Sequence, residues 1–313
     1  MKKRSGAPEP LRIRSVMVPL DGSPLAEQAL PWAIAIARKA RARLRLAMVH
    51  RLTLLPPLAD TVGLYTKVEL AVRKSQRDYL HGTAGRVKAE AAIQVATAIL
   101  EGEPAPALAG YARETGADLV VMTTHGRGGL ERAWLGSVAD ELMRTLGIPM
   151  LVIRPGEERA SAALLERILV PLDGSRQAEA VLPVALAMAS LFDASLALRQ
   201  VVLPIALMTS PPASFPAGID TELTAIDQRR AQAYLDRLVE QLRGVGARAS
   251  GAAVLGRAVF ETILTTAQER GPGMVALATR GRGGLRRMLL GSVADKLVRR
   301  GDLPVLVTRP RPS

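Results

Sequence analysis

No cysteine occurs in the 313 residues, so disulfides, thiol nucleophiles and cysteine-based zinc sites are excluded. A chain without cysteine suits a reducing cytosol, and a cytoplasmic location is the expectation. Aromatic residues make up only 3%, too few to build a stacking platform for single-stranded nucleic acid. The start, MKKRSGAPEPLRIRSV, is basic but lacks the apolar run of a secretory signal. Long hydrophobic runs are missing as well. The longest uncharged stretch, Gln200 to Ile219, holds Pro204, Pro211, Pro212 and Pro216, which a regular membrane helix does not accommodate. It reads as a loop following a strand, and no membrane association is expected. Acidic residues are the scarcer charge: 29 Asp and Glu against 42 Lys and Arg give a net charge of +13. Such a surplus can serve nucleic acid. Arginine spread over solvated helix faces explains it as well, and with so few aromatics a nucleic-acid partner is not expected.

What is present is a soluble globular composition, 48% hydrophobic and 23% charged, on a chain long enough for about two domains. The chain also repeats itself. RSVMVPLDGSPLAEQALPWA, from Arg14, matches ERILVPLDGSRQAEAVLPVA, from Glu166, so Asp21 aligns with Asp173. HGRGGLERAWLGSVADELMR matches RGRGGLRRMLLGSVADKLVR, aligning Gly126 with Gly281, and IPMLVIRP matches LPVLVTRP. Two long units do not make a solenoid. They make two similar domains, expected at residues 13–155 and 167–310, with a tail over 1–12 and a linker over 156–166.

Each half alternates strand and helix patterns. Ile13 to Val18 is a short apolar run that suits a buried strand. Ser23 is placed to cap the next helix, with Pro24 at its first position, and Ala26, Ala29, Leu30, Ala33, Ile34 and Ala37 follow at helical spacing. Strands are expected at Leu44–Val49, Ala91–Ile99, Asp118–Thr123 and Met150–Ile153. Helices are expected near Tyr65–Lys88, Pro104–Thr115 and Ser137–Leu146. This order predicts an α/β fold: two doubly wound domains, each a parallel sheet covered by helices on both faces. Such sheets bind ligands outside the carboxyl ends of their strands, where the strand order reverses.

The repeated glycine segment directly follows one of those strands. It is not a P-loop, since no G-x4-G-K-[ST] occurs. It is not the dinucleotide fingerprint, since Glu131 and Arg286 stand where the third glycine belongs. No G-x-S-x-G nucleophile elbow exists either. What it contains is Gly126, nine residues, then Gly136-Ser137 opening a helix, repeated as Gly281, nine residues, Gly291-Ser292. Glycine permits close backbone approach and positive φ, and a helix start offers free N–H groups and about half a positive charge. Together these can cradle a polyphosphate; a plain strand–turn–helix connection with Ser137 as N-cap would look the same. Asp21 and Asp173, ending VPLDGS in each half, could meet a ribose hydroxyl or a magnesium ion, or could simply form an Asp-Gly turn.

VPLDGS after a short strand, THGRGGLERAWLGSVAD and IPMLVIRP together resemble the universal stress protein family, over nearly all of both halves and in the family's order. The resemblance implies five parallel strands per domain in the order 3-2-1-4-5. It also implies ATP held through a G-x2-G-x9-G-[ST] segment, which falls on Gly126, Gly136, Ser137 and Val138, and on Gly281, Gly291, Ser292 and Val293. The family's strand-one aspartate, near ribose and metal, falls on Asp21 and Asp173. Its strand-two valine, whose backbone meets adenine, falls on Val49 and Val201. The first glycine of the pattern is replaced by Thr123 in the first half and by Ala278 in the second. Alanine is the milder replacement, so the second site is expected to bind better. Family members also pair through their last strands, so Met150–Ile153 and Val305–Val307 are expected to pair within the chain, with a homodimer open.

ATP carries about four negative charges and a helix start offsets only about half of one, so Mg²⁺ or arginine must supply the rest. Arg127 and Arg282, in the glycine turns, can reach phosphate bidentately. His125 is a potential base beside the first cradle, but its counterpart is Arg280, and contact with phosphate is the simpler role. His50 and His81 show no partner in the sequence. No nucleophile–base pair or metal cluster is readable, so slow ATP hydrolysis or autophosphorylation is the upper limit of the chemistry expected. The leading reading is an ATP- and Mg-binding regulatory protein of the stress response that acts on an unidentified partner protein. The alternative is a nucleotide-independent scaffold of the same fold, using the proline-bearing loops LTLLPPLADTVGL and LPIALMTSPPASFPAGI as its surfaces.

Overall fold

The computed structural model describes residues 8–51, 62–124, 135–154, 165–206, 219–268, 273–279 and 291–310. The chain divides into two compact units, Arg12–Ala163 and Leu164–Ser313, with the residues up to Leu11 grouped with the second. Leu11 donates its N–H to the Pro183 carbonyl at 2.9 Å.

The first unit runs β1 (Ser15–Pro19), α1 (Pro24–Glu27), α2 (Leu30–Ala40), β2 (Arg43–His50), α3 (Val62–Ala91), β3 (Val95–Glu101), α4 (Pro104–Glu114), β4 (Leu119–Thr123), α5 (Ser137–Thr145) and β5 (Met150–Ile153). Its strands are all parallel, in the order β3-β2-β1-β4-β5. The second unit runs β6 (Arg167–Pro171), α6 (Arg176–Glu179), α7 (Leu182–Phe192), β7 (Ser195–Val202), α8 (Thr221–Gly244), β8 (Ala249–Leu255), α9 (Val259–Gln268), β9 (Gly273–Ala278), α10 (Ser292–Arg300) and β10 (Val305–Thr308). Its parallel order, β8-β7-β6-β9-β10, places every strand where its twin lies. The expected order 3-2-1-4-5 holds in both.

Continuous apolar runs sit at the centre of each sheet because both faces are covered. Val16, Met17 and Val18 of β1 are fully buried, as are Leu119, Val120 and Val121 of β4, the pattern of a parallel strand between helix layers. α2 turns Trp32, Ala33, Ile36 and Ala37 inward at helical spacing and packs on β1.

Two expectations are corrected. The single helix expected through Ala26–Ala37 is broken into α1 and α2. Pro31 has no N–H to give the Glu27 carbonyl, so the helix cannot run through and restarts at Leu30 with Pro31 in its first turn. The expected strand start at Ala91 belongs instead to the end of α3, where Ala91 is buried one turn after Val87. Ala92 then takes a left-handed φ of 49°, and the strand begins at Val95. The helix and strand apolar patterns abut there, and the sequence does not mark the seam. Among the described residues no helix is long and apolar enough to cross a membrane.

Candidate functional site

β1 and β4 lie side by side, yet the chain leaves them in different directions, toward β2 and β5. That reversal opens a crevice at their carboxyl ends. Asp21 follows β1, Val49 lies near the end of β2, Thr123 ends β4, and Gly136-Ser137 open α5. In the second unit Asp173, Val201, Ala278 and Gly291-Ser292 occupy the same places. His125, Gly126, Arg127, Gly281 and Arg282, together with the loop residues 52–61 and 207–218, lie outside the described residues.

Asp21 closes a turn. Its Oδ1 accepts the Ser23 N–H at 2.9 Å and the Ser23 hydroxyl at 2.6 Å, while Gly22 takes a φ of 82° that side chains rarely adopt. Ser23 in turn accepts the Ala26 N–H at 3.1 Å and caps α1. Asp173 accepts the Ser175 N–H at 2.9 Å, and Ser175 caps α6 through Ala178 at 3.1 Å. The turn role is therefore real at both aspartates, and it also fixes both half-buried carboxylates at the crevice.

The glycine segments are pinned at their ends. Gly136 donates its N–H to the Thr124 carbonyl at 2.7 Å, and Gly291 donates to Thr279 at 2.6 Å. Thr124 and Thr279 are held in turn by the Ile153 and Thr308 carbonyls, each at 2.9 Å. Gly136 and Gly291 have φ of −58° and −64°, so positive φ is not what requires glycine here. Room is: a Cβ on Gly291 would lie 3.1 Å from the Thr279 carbonyl oxygen.

Ser137 and Ser292 do not cap their helices. Gly136 and Gly291 are the N-caps, the serines are the first helical residues, and neither start has a side-chain cap. Six other helix starts differ. α1, α6 and α8 are capped by Ser23, Ser175 and Asp220. α2, α4 and α7 carry proline in the first turn, which removes a donor. α5 and α10 have neither device, so their first-turn N–H groups, including those of Val138 and Val293, keep their capacity for an anion. Asp140 and Asp295 lie in those first turns, but each is paired one turn further on, to Arg144 at 3.0 Å and Arg299 at 2.7 Å. Thr279, 1% exposed, buries a hydroxyl that has no hydrogen-bond partner among the described residues, beside Gly291. Thr123 is buried and Ala278 half-buried at the ends of their strands.

One feature of the first crevice escaped the sequence. His50, 2% exposed, has Nδ1 2.9 Å from Gln76 Oε1 and Nε2 2.6 Å from Glu69 Oε1. Arg73 joins Glu69 at 2.8 Å and Glu101 at 2.8 Å. The Arg73 guanidinium, and His50 after it, hold the Glu69 carboxyl below the usual glutamate range. The Glu69–Arg73 spacing is a readable helical pair. Its link to His50 is a tertiary contact with no local signal.

The universal stress protein family profile matches residues 12–154 and 165–309. A universal stress protein of Mycobacterium tuberculosis is 27% identical over 308 residues, covering 96% of this chain and 99% of that protein. One from Methanocaldococcus jannaschii is 29% identical over 141 residues, covering 45% of this chain and 82% of that protein. The crystal structure of a universal stress protein from Archaeoglobus fulgidus superposes with a TM-score of 0.69 at 18% identity, covering 94% of this chain and 98% of that one. With both halves matched by the profile, the chain belongs to the universal stress protein family and carries its fold twice in tandem.

Proposed function

We propose that this stress protein is a regulatory protein that binds ATP with magnesium in the crevice of one or both units and signals its nucleotide state to a partner protein. The observation that carries this reading is the bare start of α5 and α10, uncapped where three other helices are capped. The N–H groups there suit a phosphate chain, and the Thr279 hydroxyl, unpartnered among the described residues, adds a donor in the second unit. Asp21 and Asp173 would hold the metal or the ribose. Among the described residues no group of three histidines or carboxylates could hold a metal ion, so a magnesium ion here would take further ligands from the phosphates and water. When bound, magnesium supplies neutralising charge for the phosphates.

The test is calorimetric titration of nucleotide-stripped protein with Mg·ATP. Replacing Gly291 by a bulky residue would press on the Thr279 backbone. Ser137→Asp with Ser292→Asp is the cleaner variant. A carboxylate at the first helical position favours the helix but repels phosphate, so affinity should fall about tenfold or more while the fold persists. The second reading, a scaffold acting without nucleotide, is favoured by the buried Thr123 where the family pattern has glycine. Failure of the wild-type protein to bind millimolar Mg·ATP would decide for it.

A further inference from the structure

The first unit has a second concavity, at the end of its sheet opposite the crevice. Where β1 and β2 begin, an open cavity of about 520 Å³ is lined by Arg14, Arg38, Arg41, Arg43 and Arg45. No carboxylate is among the residues lining it. Neutral acceptors aim the guanidinium groups without cancelling their charge. Arg45 donates to the Ser15 hydroxyl at 2.9 Å and to the Thr115 carbonyl at 3.3 Å. Arg43 reaches Gln94 Oε1 at 3.3 Å. Asp118, at the rim, accepts the backbone N–H groups of Arg14 and Ser15 at 2.7 and 3.0 Å.

So many like charges around one cavity repel each other, and the fold does not need them. The second unit builds the same end with Glu166, Ser190, Asp193, Ser195 and Ala197 at the equivalent positions. Arg41 and Asp193 even share a φ of 52°, and Asp193 is paired to Arg248 at 3.0 Å. Arg167 and Arg248 stand there where the first unit has Ser15 and Gln94, so that end carries charges of both signs and not arginine alone. We propose that the arginine cavity is a binding site for a compact, multiply phosphorylated anion. Guanidinium forks match phosphate oxygens bidentately, and the volume falls in the small-ligand range. No aromatic side chain lines the cavity, so it offers phosphate recognition without a surface for stacking bases.

The probe is sodium tripolyphosphate, titrated without magnesium into the full-length protein. Wild type should bind. The triple variant Arg38→Ser, Arg41→Asp, Arg43→Ser copies the second unit at three exposed positions. It should bind about tenfold more weakly or worse, and each of Arg38→Ser and Arg43→Ser alone about threefold more weakly. In the Ser137→Asp, Ser292→Asp background, where the crevices repel phosphate, tripolyphosphate should still bind through the arginines, and added salt should weaken that binding severalfold. Undiminished binding by the triple variant, loss in the serine variant instead, or no binding by wild type at millimolar probe would each overturn the proposal. A short oligonucleotide that bound more tightly than tripolyphosphate with the same arginine dependence would overturn the small-anion assignment in favour of nucleic acid.

Discussion

Ser23 and Ser175 cap their helices through the same 3.1 Å bond. Gly22 and Gly174 turn at φ of 82° and 78°. Gly136 and Gly291 close their loops onto a threonine carbonyl in the same way. The two units therefore agree at these main-chain devices. They part company in charge. His50, Glu69, Arg73 and Glu101 have Val202, Thr224, Gln228 and Leu255 as their counterparts, and the five cavity arginines have Glu166, Ser190, Asp193, Ser195 and Ala197 as theirs. A duplicated fold kept its backbone devices in both copies and let the electrostatics of one copy specialise. The bare helix starts belong to the shared set, which is why the nucleotide reading is offered for either crevice. The arginine cavity belongs to one unit alone.

The strongest blow to the comparison would fall in the core. Leu46 and Leu198 are equivalent residues of β2 and β7, both fully buried. Leu46→Ala and Leu198→Ala should each destabilise the protein by about 2–5 kcal/mol in urea unfolding. Costs that differ by more than that range would show that the two cores are not equivalent despite their shared topology. Next in size is a transplant. Ser190→Arg with Asp193→Arg and Ser195→Arg gives the second unit three of the first unit's five cavity arginines, and should raise the calorimetric stoichiometry for tripolyphosphate by one. An affinity gain of about tenfold at the new site corresponds to about 1.4 kcal/mol. An unchanged stoichiometry would mean that the cavity's shape, and not its charge alone, sets the site. Smaller again are the caps. Ser23→Ala and Ser175→Ala should each cost about 1 kcal/mol, measured by thermal unfolding, and a marked inequality would break the claim that these turns are interchangeable.

The parts of this molecule that local chemistry decides could be read in the sequence. Strand runs such as VVMT, the Ser-Pro start of α1, and the repeated VPLDGS each carry their own signal; the alternation of elements gave the parallel sheet, and the family resemblance gave the strand order. The misreadings share a cause. Pro31 looked like one more residue of a helical pattern because the apolar spacing continues through it, although its missing N–H breaks the helix. Whether Ser137 caps its helix stayed open in the sequence, because Gly-Ser before an amphipathic run is ambiguous by one position. The His50 network and the arginine cavity were invisible for a different reason. Arg38, Arg41, Arg43 and Arg45 are close in sequence, but only the folded sheet brings Arg14 beside them, and it alone gathers His50, Glu69 and Glu101 from β2, α3 and β3.

The smallest effect separates the units by pH. Glu69 faces Arg73 on its own helix and His50 on β2, Gln76 is neutral, and Arg73 also meets Glu101. Arg73 first, then His50, holds the Glu69 carboxyl below its ordinary value of 4.5. A carboxyl depressed by folding lends stability above its unfolded value and loses it as pH falls through the folded value. The first unit should therefore lose this contribution on acidification below about pH 4.5, while Thr224 at the equivalent place in the second unit has no charge to lose. Glu69→Gln should lower stability at neutral pH slightly, flatten the acid limb of the stability curve, and converge with wild type once the glutamate is protonated in both states. The effect is small because Glu69 and Arg73 are partly open to solvent. Measured as the unfolding midpoint against pH from neutrality to pH 3, parallel curves for wild type and Glu69→Gln would show that the His50–Glu69–Arg73 group contributes no pH-dependent stability to the first unit.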